Sequence, residues 1–240
     1  MKNIHRKGLS QNQLKVVAVI AMLIDHVGAE FFPHIIIFRI IGRLAFPLFS
    51  YFIYEGVQYT RDKKRYFLRI FALGFLCAVV YYIYSGEIYG NVLITFYLSI
   101  AVLYGMERCT KCIVGDRKGK IAESLVVCVS IVILWFVGKG IHIDYGIIGV
   151  LLPAFAELIG TWRGKKNRHL TLTGFSVGLL LLAINMGGIQ YFGLVSVLLL
   201  FVYNGQRGNL SLKNFFYWFY PVHLAVIGLI AMLEHFSNTL

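Results

Sequence analysis

Asp25 and His26 lie side by side within an otherwise apolar run from Leu14 to Phe32, LKVVAVIAMLIDHVGAEFF. A carboxylate and an imidazole are groups that take up and release protons near neutrality or below it. In a bilayer each ionisable side chain costs roughly 2.5–3.5 kcal/mol on insertion scales, so the pair is expected to face partners or a wet cavity rather than lipid. Lys15, Met22 and His26 follow one another at spacings of seven and four residues, which puts all three on one helical face. At 1.5 Å per residue, His26 lies about 16 Å along the helix from Lys15, past the bilayer midplane. A cation near one surface and a titratable base deeper in suit a substrate that enters from one side.

Other residues with chemistry to offer fall in later apolar runs. The second, IIIFRIIGRLAFPLFSYFIYEGVQ, carries Arg39 and Arg43 one turn apart, with Pro47 a turn later. Read structurally, these arginines pair with Asp25 or Glu55; read functionally, they form an anion-binding wall, since a guanidinium suits carboxylate and phosphate alike. In the last run, NFFYWFYPVHLAVIGLIAMLEHF, Tyr220 and His223 share a face, and Pro221 interrupts the backbone ladder where polar groups can enter. Such a histidine is either a satisfied polar contact or a base. Asn91 and Thr95, one turn apart, either bond helix to helix or touch a substrate. His142, Asp144 and Tyr145, in GIHIDYGIIGV, read as a rim bordering the site on the outer side, with Asp144 also placed to cap a helix.

Three further patterns carry less. Cys109 and Cys112 form a single C-x-x-C on a basic stretch, and Cys77 and Cys128 lie in apolar runs, so reduced cytosolic thiols are expected rather than zinc or redox chemistry. The stretch from Gly115 to Lys120 lacks the G-x-x-x-x-G-K-[ST] spacing of a phosphate loop and is read as a solvated loop. Gly174-x-x-x-Gly178 is a small-residue packing face. No metal site is expected.

The elements that must position these groups are membrane helices. The 240 residues are 58% hydrophobic and 14% charged, with mean hydropathy +0.73, which excludes an ordinary soluble domain. Nine apolar spans are expected: Leu14–Phe32, Ile35–Gln58, Tyr66–Tyr84, Val92–Met106, Ile121–Val137, Tyr145–Ile159, Leu170–Met186, Ile189–Tyr203 and Phe215–His235. The first resembles a signal peptide only superficially, because it lacks an A-x-A-type cleavage site. The eighth reads as purely structural, and Tyr81, Tyr82 and Tyr84 as an aromatic belt. Of the 23 Lys and Arg, eighteen fall before the first span and in alternate connections, whereas the opposite connections hold Lys139. The positive-inside rule then makes the basic N-terminal stretch, residues 1–13, cytoplasmic and the C-terminus external. The net charge of +12 is thus an orientation signal rather than a sign of nucleic-acid binding. The expected architecture is an all-α, polytopic integral membrane protein forming one domain over residues 1–240.

The ordered set of motifs, Leu14-Lys15 with Asp25-His26, FRIIGRLAFPLF, NVLITF, DYGIIGV and FYPVHL, resembles the TraX family from Leu14 to about Leu224. The named member of that family acetylates the N-terminus of conjugative pilin. A basic residue separated from a histidine by ten residues is also similar to the acyltransferase family 3 pattern, whose members use acyl-CoA to modify cell-surface glycans; there the basic residue is usually Arg, where this chain has Lys15. The resemblance implies a multi-pass acetyltransferase of a bacterial cytoplasmic membrane, with acetyl-CoA as donor from the cytoplasm. Its acceptor would be an amine or hydroxyl at the outer face, on an exported protein or a cell-surface glycan. In that scheme His26 is the general base; Lys15, Arg39, Arg43 and Asn91 serve the donor; Asp25 pairs with an arginine; and Tyr220 and His223 polarise the thioester or position the acceptor.

The rival from a different class is a proton- or ion-coupled transporter in which Asp25, His26, Arg39, Arg43 and His223 form a relay. The chain shows no inverted repeat, and an odd number of spans fits a duplicated transporter poorly.

Overall fold

The computed structural model describes residues 8–86, 89–112, 116–140, 142–162, 165–209 and 212–238. Lys2, Arg6, Lys7 and Arg163, part of the basic orientation signal, and Gly115 of the loop described above lie outside those residues. The chain is a succession of helices: α1 (Gln11–Phe31), α2 (Ile36–Gly42), α3 (Ala45–Tyr59), α4 (Lys63–Ser85), α5 (Val92–Cys112), α6 (Asp116–Val137), α7 (Gly146–Gly160) and α8 (Arg168–Met186). A 3-10 helix (Gly188–Leu194), α9 (Val195–Phe201) and α10 (Lys213–Asn238) complete it. Two short pairings stand beside the helices. Strand β1 (Tyr89–Gly90) lies parallel to β2 (His142–Ile143), and β3 (Thr161–Trp162) antiparallel to β4 (Lys165–Lys166).

Among the described residues, six helical stretches are long and apolar enough to cross a bilayer: Ile36–Tyr59, Lys63–Ile83, Val92–Lys111, Lys118–Val137, Arg168–Met186 and Asn214–Glu234. Their exposed surface is itself apolar. On α6, Leu125, Val129, Val132, Ile133, Trp135 and Phe136 are all exposed, a surface suited to lipid and not to water. The protein is an all-α, multi-pass membrane protein.

All nine expected spans fall on helical segments, but only six of them, among the described residues, are long and apolar enough to cross a bilayer. Helix α1 has 21 residues, about 31 Å, yet Lys15, Asp25, His26 and Glu30 interrupt its apolar run. Helix α7 has 15 residues, and the eighth run is split between the 3-10 turn and α9. Gly187 and Gly188, at φ of 68° and 54°, adopt positive-φ conformations open mainly to glycine, which end α8 and redirect the chain.

The second run is also broken. The amides of Arg43 and Leu44 bond back only three residues, to Ile40 and Ile41. Pro47 has no N–H to offer the Arg43 carbonyl and sits in the first turn of α3, where proline is tolerated. The expected span over Ile35–Gln58 is thus built of two helical segments, α2 and α3, with Arg43 at the break.

Contacts divide the chain into two compact units, residues 1–49 with 187–240, and residues 50–186. In the first, α1 opens on a capping box: the Ser10 hydroxyl accepts from the Gln13 amide, and the Gln13 side chain accepts from the Ser10 amide at 2.8 Å. The segment before α1 is stitched to the one after α9, with Leu9 N–H donating to Val202 O at 3.0 Å and Gln11 N–H to Gln206 O at 2.8 Å. Helix α1 then packs on α2 and α10.

The second unit is held most closely by α7 against α8. A Cβ at Gly174 would collide with the Phe155 carbonyl, and one at Gly178 would stand 2.6 Å from the Phe155 ring, so the small-residue face works as a packing face. Ser99 donates from α5 to Val150 O on α7 at 2.7 Å. Helix α6 starts at Asp116, several residues ahead of the expected span, so the expected solvated loop is corrected to the first turns of a helix. Lys120 there donates to Glu123 at 2.8 Å and to Leu158 O, near the C-terminus of α7, at 3.0 Å. It ties two helices together and satisfies a carbonyl that the helix leaves without a partner.

Candidate functional site

The first unit gathers the ionisable residues of α1, α2 and α10. Asp25 takes both arginines: Arg39 Nη1 is 2.9 Å from one carboxylate oxygen and Arg43 Nη2 is 3.1 Å from the other. The sequence left the choice of partner open, and the structure resolves it as both. Arg39 and Arg43 present the same face of the α2 segment one turn apart, and Gly42 beside them has no Cβ to hold the carboxylate away. Arg43 also donates to the Gln190 side chain at 3.3 Å and to the Arg39 carbonyl at 3.2 Å. Its guanidinium is thus distributed over Asp25, Gln190 and the backbone, which is how a buried charge is tolerated.

Gln190 did not stand out in the sequence, where the eighth run reads as purely structural. It is 2% exposed in the 3-10 turn. The signal was a primary amide in an otherwise apolar run, a residue type that bonds across helices in membranes.

His26 points from α1 toward α10. Its Nδ1 lies 2.8 Å from Nε2 of His223, and the two rings are 4.9 Å apart between centroids. His223 is 5% exposed, stacks on Phe219 at 4.8 Å, and places its Nδ1 2.7 Å from the Phe219 carbonyl one turn back. Tyr220, also buried, stands edge-on to both imidazoles, 6.5 Å from His26 and 5.6 Å from His223. Lys15, on the same face of α1, has its ammonium 5.7 Å from the Phe216 ring of α10. The shared face of Lys15 and His26 expected from spacing is thus the face α1 turns to α10.

Asp25 and His26, though adjacent, serve different neighbours, because successive helical side chains diverge by about 100°. The carboxylate faces α2, and the imidazole faces α10.

The remaining candidates belong to the second unit. Asn91 donates to Gly74 O of α4 at 2.9 Å and accepts from the Leu93 amide at 3.0 Å, so it caps α5 and ties it to α4. Thr95 donates to Asp144 O at 2.8 Å, and the Asp144 amide donates to Gly90 O at 3.0 Å. His142 is exposed at the β1–β2 pairing. Tyr145 holds φ at 60°, a left-handed conformation rare outside glycine, directly before α7. Among the described residues, no group of three or more His, Cys, Asp or Glu is placed to hold a metal ion.

Ionisable side chains paired and hydrogen-bonded among apolar helices define the class: a multi-pass membrane protein with a polar cluster between its helices. The family described as TraX protein matches residues 10–231, which takes in α1 through most of α10, and the chain belongs to that family. It is 28% identical over 247 residues to a protein of Dichelobacter nodosus described as a probable fimbrial assembly protein FimC, serogroup H1, covering 90% of this chain and 93% of that one. It is also 31% identical over 152 residues to an uncharacterized protein of Rickettsia prowazekii (strain Madrid E), covering 60% of this chain and 54% of that protein. No solved structure matches it.

Proposed function

We propose that this protein is a membrane acetyltransferase that moves an acetyl group from cytoplasmic acetyl-CoA to an amine or hydroxyl at the outer face of a bacterial cytoplasmic membrane. The acceptor is an exported protein, with a pilin-like N-terminus as the leading candidate, or a cell-surface glycan. Membership of the TraX family and the similarity to a protein described as a probable fimbrial assembly protein favour an exported protein. The N-terminus is cytoplasmic and the C-terminus external, following the basic connections.

The observation that carries the reading is the His26–His223 contact at 2.8 Å, an imidazole pair between two apolar helices and separate from the Asp25–arginine cluster. A neutral imidazole there suits general-base work on the acceptor, removing its N–H or O–H proton as it attacks the thioester carbonyl. When the C–S bond breaks, the same proton passes to the departing CoA sulfur. Lys15 and the cytoplasmic bases near it suit the CoA phosphates. Arg39, about one third exposed, is the arginine of the cluster with surface left to meet an anion. Tyr220 is placed to orient the acceptor or polarise the thioester.

The test is acetyl-CoA binding and release of free CoA thiol by purified protein in detergent, wild type against His26→Ala. The reading expects both proteins to bind and only the wild type to turn over. Failure of the folded wild-type protein to bind acetyl-CoA would refute it.

A further inference from the structure

We propose that His223 is a positioning residue that fixes the tautomer of His26, so that Nε2 of His26 is the atom that accepts the acceptor's proton. This rests on the acetyltransferase reading for its chemistry and on the geometry of α1 and α10 for its logic.

A backbone carbonyl only accepts hydrogen bonds. The Phe219 carbonyl lies 2.7 Å from Nδ1 of His223, so that nitrogen carries a proton and donates. A neutral His223 then has a bare Nε2. The neighbour of that nitrogen is Nδ1 of His26 at 2.8 Å, and two bare nitrogens at that distance would repel, so His26 Nδ1 carries the proton and donates to His223. A neutral His26 therefore has its lone pair on Nε2. The protons run in one direction from His26 to His223 to Phe219, and the basic end is on α1.

The reverse arrangement would need His223 to donate from both nitrogens, which makes it an imidazolium. Its ring is 5% exposed, stacked on Phe219 and edge-on to Tyr220, and its nitrogens meet backbone groups of Phe219 and Tyr220 and the His26 ring, none of them a carboxylate. Asp25, beside His26 on α1, is already held by Arg39 and Arg43. A buried imidazolium with no carboxylate partner is costly, so the neutral relay is favoured.

This changes the part that His223 plays. With both nitrogens engaged it does not touch substrate; it orients His26 as a third group orients the base in a hydrolytic triad. During transfer, the acceptor's proton moves to Nε2 of His26 as the new bond to the acetyl carbon forms. His26 is then an imidazolium whose Nδ1–H still points at His223. On collapse, the C–S bond breaks and the Nε2 proton goes to the sulfur, returning both rings to their starting state.

The experiment uses full-length protein with ring-15N histidine in lipid nanodiscs, read by NMR and assigned with His26→Ala. The expected result is a proton on Nδ1 of His26, a bare Nε2, and a 15N–15N coupling across the hydrogen bond to Nε2 of His223. A protonated Nε2 on neutral His26 overturns the proposal, whether or not the protein transfers acetyl groups. Two variants add a kinetic reading. His223→Gln keeps a side-chain acceptor for His26 and is expected to retain most of kcat for CoA release. His223→Leu removes the acceptor and is expected to lower kcat by about 10²-fold, with acetyl-CoA affinity unchanged. Equal rates in folded Gln and Leu variants would also overturn it. If the wild-type protein fails to release CoA while the NMR result holds, the failure belongs to the acetyltransferase reading alone.

Discussion

Gly42 lies against the carboxylate of Asp25 so closely that a Cβ at that position would occupy the carboxylate's space. The ion-pair cluster between α1 and α2 depends on this missing methyl group. Gly42→Ala is expected to push Asp25 off Arg43 and to lower stability by about 1–3 kcal/mol through overpacking. Thermal unfolding in detergent checks this, and a change within error of zero would mean that α1 and α2 separate without cost.

Removing the carboxylate has a larger effect. Asp25→Ala leaves two guanidinium groups without their shared partner, and breaking a buried pair costs about 3–5 kcal/mol. Arg39 is about one third exposed and recovers water, so the loss is expected near the lower end of that range. Asp25→Asn preserves shape and one acceptor oxygen and should lose less than Ala. Unfolding midpoints of the two variants, measured side by side, test that order.

Lys120 makes a prediction that separates a structural lysine from a phosphate-binding one. Its ammonium sits 2.8 Å from Glu123, a residue only 3% exposed, and reaches carbonyls near the end of α7. Lys120→Met should lower stability by about 3 kcal/mol by taking the cation from the buried Glu123 carboxylate, which keeps a hydrogen bond from the Thr110 hydroxyl. Binding of acetyl-CoA to the folded variant should match wild type in equilibrium titration.

Lys15 is expected to act on the donor. Lys15→Ala removes a cation from the start of α1, and a hydrogen bond to a charged group contributes about 1.5–3 kcal/mol. The expected result is a KM for acetyl-CoA raised roughly 10- to 100-fold with kcat little changed, the pattern of lost uniform binding. Initial rates over a range of acetyl-CoA concentrations check it.

How much of this was legible in the sequence depends on how local each feature is. The helices follow from apolar runs, and the shared face of Lys15 and His26 follows from their spacing. The pairing of Asp25 with arginine was visible as a chemical need but not as a geometry; a carboxylate between two guanidinium groups requires α2 to be placed. The break at Arg43 was hidden because the apolar run continues through it, although Pro47 carried the reason four residues on. Gln190 was hidden because its partner, Arg43, is 147 residues away. Lys120 was misplaced because polar residues at the start of α6 look like a loop until the helix is seen to begin at Asp116. Tyr220 and His223 were legible as a polar pair on α10, but the direction of the proton relay needed the Phe219 carbonyl, which no side-chain pattern reveals.

The central claim is that His26 carries acetyl transfer to something outside the cytoplasm. Its most direct test is mass spectrometry of exported-protein N-termini and surface glycans from cells that lack the native protein and express either wild type or His26→Ala at equal membrane levels. The account predicts acetyl groups on a defined acceptor with wild type and their absence with the variant. Identical acetylation in the two strains would contradict it.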